Sequence, residues 1–170
     1  MPLEAREILD EKRSALTDES QVIDYAGYIL GYICAEDGLS DMQGIADVLE
    51  ELSDMQDSET GSFGPINSHI WAMIALDVSG GSYSAQKAVT YLLSQQNPDG
   101  GYAFDSSDTS DVLSDPDMTG MALIALSNHG DKEGVPEGIE RAIEYLKRSQ
   151  LPTGGFESYG NDNANSVAIV

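Results

Sequence analysis

The chain has 170 residues, 41% of them apolar, which suits one folded domain with a substantial core. A formal net charge of −22, with no Lys or Arg between Arg13 and Lys87, argues against nucleic-acid or anionic-membrane partners. The one cysteine, Cys34, cannot form an internal disulfide and is too few for a thiolate metal site.

The start, Met1-Pro2-Leu3-Glu4, is polar and lacks a signal-peptide pattern. Residues 4–16 carry Ala5, Ile8, Leu9 and Leu16 at loose helical spacing and predict an amphipathic helix. Residues 21–35 are apolar nearly all round, so this second helix is expected to be buried on most sides, with Cys34 as a buried structural thiol. It is too short to span a bilayer and contains Asp24. Gly27 and Gly31 in it predict close helix packing. Ile45, Val48, Leu49 and Leu52 place the next striped helix near 41–54. A second all-apolar helix follows near 67–78, reading His-Ile-Trp-Ala-Met-Ile-Ala-Leu-Asp-Val over 69–78.

The alternation continues. Ala85, Ala88, Val89, Leu92 and Leu93 stripe a helix near 83–95, and the apolar run of 118–126 lies in one near 117–128. Ile139, Ala142, Ile143 and Leu146 stripe another near 136–149, and a last all-apolar helix starts at 165. Striped helices alternating with all-apolar ones imply an outer layer wrapped on an inner one. The inner helices align without gaps from Asp24, Asn67, Asp117 and Asn165, each expected to be an N-cap. The outer helices end alike: Gln96 before Pro98, Gly100-Gly101-Tyr102; Gln150 before Pro152, Gly154-Gly155-Phe156; Gln56 before Gly61-Ser62-Phe63. Proline stops the helix, glycine allows the reversing turn, and the aromatic packs back over it.

These glutamine–glycine–aromatic repeats, with Asp115-Pro116-Asp117-Met118-Thr119 opening an inner helix, resemble the squalene–hopene cyclase and prenyltransferase repeat superfamily. The segment from Gly64-Pro65-Ile66-Asn67 through Trp71 to Asp77 looks like a bacterial cell-surface branch that is similar to the helical domain of cobalamin carriers. The resemblance, over roughly residues 20–170, implies an all-α fold of two-layered hairpins. With about four hairpins, the last cut at Val170, it is an incomplete α/α toroid, an open arc expected to self-associate through its ends.

Protonating cyclases of this superfamily use an Asp-x-Asp-Asp run whose middle acid protonates an alkene. Here the run becomes Asp115-Pro116-Asp117-Met118, so Asp117 matches the acid while Met118 replaces the last carboxylate. The zinc ligands of the prenyltransferases have no match in Cys34, His69 or His129. Asp105, Asp108, Asp111 and Asp115 offer oxygen ligands for calcium, without EF-hand spacing. A fold kept while its chemistry erodes points first to a non-catalytic ligand- or partner-binding module of a bacterial extracytoplasmic protein. No cofactor is expected, and the partner would be a small apolar molecule or a protein. The alternatives are an isoprenoid-cyclising or prenyltransferase-like enzyme and a cobalamin-like carrier. A ligand is expected at the inner-helix mouth, on Tyr25, Tyr28, Ser68, His69, Trp71, Asp117, Met118 and Met121, with Ser166 and Ile169 at the equivalent positions of the last helix.

Overall fold

The computed structural model describes residues 3–17, 19–35, 44–104, 114–158 and 161–162. Asp105, Asp108, Asp111 and the last inner helix with Ser166 and Ile169 lie outside the described residues. Among the described residues seven α-helices run α1 Leu3–Ala15, α2 Val22–Ala35, α3 Ala46–Asp54, α4 Ile66–Ser79, α5 Ala85–Ser94, α6 Pro116–Leu126 and α7 Val135–Ser149. A 3-10 turn, Ser127–His129, extends α6. The only strands among the described residues are the two-residue pair β1 Glu157–Ser158 and β2 Asn161–Asp162.

The layering follows the two hydrophobic patterns. Helices α2, α4 and α6 pack side by side as the inner layer. Helices α1, α3, α5 and α7 lay their apolar stripes on it: α1 on α2, α3 on α2 and α4, α5 on α4, α7 on α6. Small residues at the inner contacts, Ala26, Ala72, Ala75, Ala122 and Ala125, are buried and let the helices approach closely. Two large core clusters result, one around Ile29, Val48, Leu52 and Leu76, the other around Ile70, Met73, Leu92 and Leu126, with a small third of Tyr145, Leu146 and Phe156. Trp71 and Tyr83 touch both large clusters and join them.

The repeated turns are built alike. Gly61, Gly100 and Gly154 have φ of 79°, 92° and 86°, and Phe63, Tyr102 and Phe156 fold back into the core. Gln56 Nε2 donates to the carbonyls of Gly61 (3.0 Å) and Ser84 (3.2 Å), and its Oε1 accepts from Ser84 N–H (2.7 Å). Gln96 Nε2 donates to the carbonyls of Gly100 and Gly138, both at 2.8 Å, and its Oε1 accepts from Arg141. Each glutamine thus ties its own turn to the start of the following outer helix. Gly100 is required twice over: a Cβ there would sit 2.5 Å from the Arg141 carbonyl oxygen, besides the strain of its positive φ.

Two expectations are corrected. Helix α2 is not buried all round: Asp24, Gly27, Gly31 and Cys34 form an exposed stripe, so Cys34 is an exposed thiol. Among the described residues α2 has an inner neighbour on one side only, α4, which leaves the opposite face open. The aligned Asp and Asn residues that are described are also not N-caps. Asn67 and Asp117 are the second residues of α4 and α6, whose caps are Pro65 and Asp115. Asp24 is the third residue of α2 and reaches back to accept from Gln21 N–H at 2.8 Å.

Candidate functional site

The head of α6 gathers the chemistry. Asp115 has extended backbone, φ −117° and ψ 134°, and its carboxylate accepts from Met118 N–H at 3.1 Å. Pro116 follows at the first helical position, where its fixed φ and missing N–H cost nothing. The cap thus falls two residues upstream of the expected residue. Asp117 is therefore relieved of capping. Its Oδ1 is buried and has no hydrogen-bond partner. A buried oxygen without a donor is expensive in a purely structural residue. Asp115, the one calcium candidate among the described residues, is committed to capping α6.

Two further polar groups are fully buried, each two residues after an aligned position: His69 after Asn67 and Thr119 after Asp117. His69 Nδ1 accepts from Phe63 N–H at 3.1 Å, so the ring proton lies on Nε2, which donates to the Ala88 carbonyl at 3.1 Å. Thr119 Oγ1 accepts from Tyr102 N–H at 3.0 Å and donates to the Asp115 carbonyl at 2.8 Å. Both positions do one job: they satisfy the buried N–H of the aromatic residue that folds over the turn. Sequence reasoning missed this role. Its signal was a polar residue, His69 or Thr119, inside an otherwise apolar inner-helix run. His69 has no free ring nitrogen for a ligand, and burial holds its pKa down at about 4.

The other expected ligand residues, Ser68 apart, fall in both large core clusters, and Trp71 packs against each. Met118 and Met121 are buried in the cluster shared by α4, α5, α6 and α7. Trp71 and Ser68 are half-buried on α4. Tyr25 is buried on α2, its hydroxyl donating to the Thr17 carbonyl at 3.3 Å. Tyr28 lines a cleft between α1 and α2.

At the opposite ends of the inner helices, three residues meet that the sequence did not connect. The Tyr83 hydroxyl donates to Asp77 Oδ1 at 2.6 Å. His129 Nε2 lies 2.9 Å from Asp77 Oδ2 and 3.1 Å from the Tyr83 oxygen. Burial and the Asp77 carboxylate push the Tyr83 hydroxyl far above its usual pKa. This cluster ties the end of α4 to the end of α6. The Tyr102 hydroxyl is buried without a partner, and burial raises its pKa as well.

No family model matches the chain. Over 73 residues it is 42% identical to a drimenyl diphosphate synthase of Streptantibioticus cattleyicolor, covering 43% of this chain and 12% of that one. Over 83 residues it is 35% identical to a drimenyl diphosphate synthase of Streptomyces showdoensis, covering 49% of this chain and 14% of that one. The matches thus span about one eighth of the relatives' length. Both relatives are diphosphate synthases by name and neither is a cofactor carrier, so these partial matches lend weight to the terpene-cyclase side of the resemblance and none to the cobalamin-carrier or cell-surface side.

Proposed function

We propose that this chain is part of a terpene-cyclase-like enzyme acting on a linear isoprenoid diphosphate, with Asp117 as its proton donor. The observation that carries the reading is the carboxyl of Asp117, relieved of capping by Asp115 and holding a buried Oδ1 with no partner. The non-catalytic reading explains a capping aspartate; it does not explain a buried carboxyl oxygen left unpaired.

The relatives' name supports the chemistry. Their product keeps its diphosphate. Cyclisation begun by protonating an alkene keeps that group, whereas ionisation would expel it. In the proposed step the Asp117 carboxyl gives its proton to one alkene carbon, and the neighbouring carbon becomes a cation. Internal double bonds close rings onto that cation, and loss of a C–H proton to a base ends the sequence with no net change in protons. The carboxylate left behind faces the positive end of the α6 dipole. Met118, in place of the last acid of the cyclase run, gives its N–H to Asp115 and adds no second carboxyl. The reading concerns the alkene end of the substrate, since no group of lysines and arginines among the described residues gathers at this head to hold a diphosphate.

The test is to incubate the full chain with linear isoprenoid diphosphates of increasing length and to identify products by gas chromatography after dephosphorylation. Cyclised product from the native chain, lost in Asp117→Asn with helical circular dichroism unchanged, is the expected result. Equal product from Asp117→Asn, or no cyclised product from a folded chain at any substrate length, would overturn the proposal.

A further inference from the structure

The exposed stripe of α2 is the floor of a cleft. Helix α1 forms its other wall, and together they enclose about 530 Å³, within the ~300–1,000 Å³ usual for small-molecule sites. The walls are apolar: Ile8 and Leu9 from α1, Leu16 just past its end, and Ile23 and Tyr28 from α2. Ile8 is 58% exposed, a large apolar side chain standing at the rim. At the floor, a Cβ placed on Gly27 would meet no atom within 4 Å, so a guest can lie directly on the helix backbone.

The polar groups at the cleft are unequal. Asp24 is engaged at Gln21 N–H. Lys12 has no salt-bridge partner among the described residues, whereas its neighbour Arg13 pairs with Asp47. Among the described residues Lys12 is the only cation lining the cleft. Its methylene stem can lie along the apolar wall with the ammonium at the mouth. The chain's net charge of −22 opposes an anion at long range. At physiological salt that field is screened beyond about 8 Å, so the charges lining the cleft decide: the Lys12 ammonium, and an Asp24 carboxylate already held at Gln21 N–H.

We propose that this cleft binds a single-chain anionic amphiphile, its hydrocarbon along Ile8, Leu9, Leu16 and Gly27 and its carboxylate or phosphate head at Lys12. The site is separate from Asp117 and does not depend on the proposed chemistry there. A helix of another protein molecule is the less favoured occupant, because eleven described residues line the cleft against roughly 20–30 a side in a stable protein interface.

The experiment is calorimetric titration of the full chain with decanoate, geranyl monophosphate, decanol and acetate, each below its aggregation limit. Decanoate or geranyl monophosphate should bind once per chain, and acetate should not bind. Lys12→Gln should weaken the anionic ligands about three- to tenfold and leave decanol unchanged. Gly27→Leu should abolish binding of all three tailed ligands, because its side chain fills the cleft. That variant also raises helix propensity at an uncrowded position, so the melting temperature should hold or rise. Should Gly27→Leu nonetheless unfold, Ile8→Ser at the exposed rim is the second variant, with weaker tail binding expected. Three results would overturn the proposal: no saturable binding of a tailed anion, binding unchanged by Gly27→Leu or Ile8→Ser, or a native dimer that Gly27→Leu dissociates.

Discussion

Acid should expose the cost of burying His69. Its ring is fully buried, accepts at Nδ1, donates at Nε2, and has a pKa of about 4 in place of the usual 6.5. The folded chain therefore refuses a proton that the unfolded chain takes. Because the folded pKa lies below the unfolded one, stability is full above about 6.5 and falls as the pH drops from there towards 4. From those two values the loss is about 2 kcal/mol at pH 5 and about 3 kcal/mol at pH 4, where it levels off. With a urea m-value of about 2 kcal/mol/M, the midpoint falls by roughly 1 M between pH 7 and pH 5. Carboxylate titration and relief of self-repulsion in a chain of charge −22 add their own pH dependence, so a reference is needed. His69→Asn supplies it, keeping an acceptor for Phe63 N–H while removing the titration. Urea melts of both chains at pH 7 and 5 give the difference of differences. If the two chains lose stability in parallel, His69 is not the buried neutral tie described above.

Thr119→Val leaves the Tyr102 N–H buried and unpaired, and should cost about 1–3 kcal/mol, more than Thr119→Ser, which keeps the hydroxyl; urea melts that reverse this order would contradict the assignment. Gly100→Ala should cost about 2–4 kcal/mol, because backbone strain adds to a Cβ 2.5 Å from the Arg141 carbonyl oxygen. Gly154→Ala has the same kind of φ but open space, so about 1–2 kcal/mol is expected in parallel thermal melts, and equal losses would deny the contact. Asp77→Asn weakens the tie between the ends of α4 and α6 and should cost about 1–3 kcal/mol, with amide exchange quickening first at the last turns of those helices.

Periodicity alone determined the architecture. A stripe at 3.6-residue spacing states which face of a helix is apolar, and an apolar run with no polar face states that a helix needs neighbours; both are local properties of the chain. So the two layers and the order of α1 to α7 were legible, and so were the turns built on Gln56, Gln96 and Gln150, because Gly, Pro and aromatic residues at fixed offsets dictate a reversal. What lies across a face is not local. Asp77 and His129 are 52 positions apart, and only the packing of α4 on α6 brings them together. His69 and Thr119 read as a mouth residue and part of an inner-helix opening until the fold set the N–H groups of Phe63 and Tyr102 against them. Two residues of helix register decided between Asp115 and Asp117 as the cap, and so left the Asp117 oxygen unpaired. Cys34 and Gly27 lie in a run as apolar as those of α4 and α6, yet they are exposed, because a helix at the edge of a layer buries only the side on which it has a neighbour.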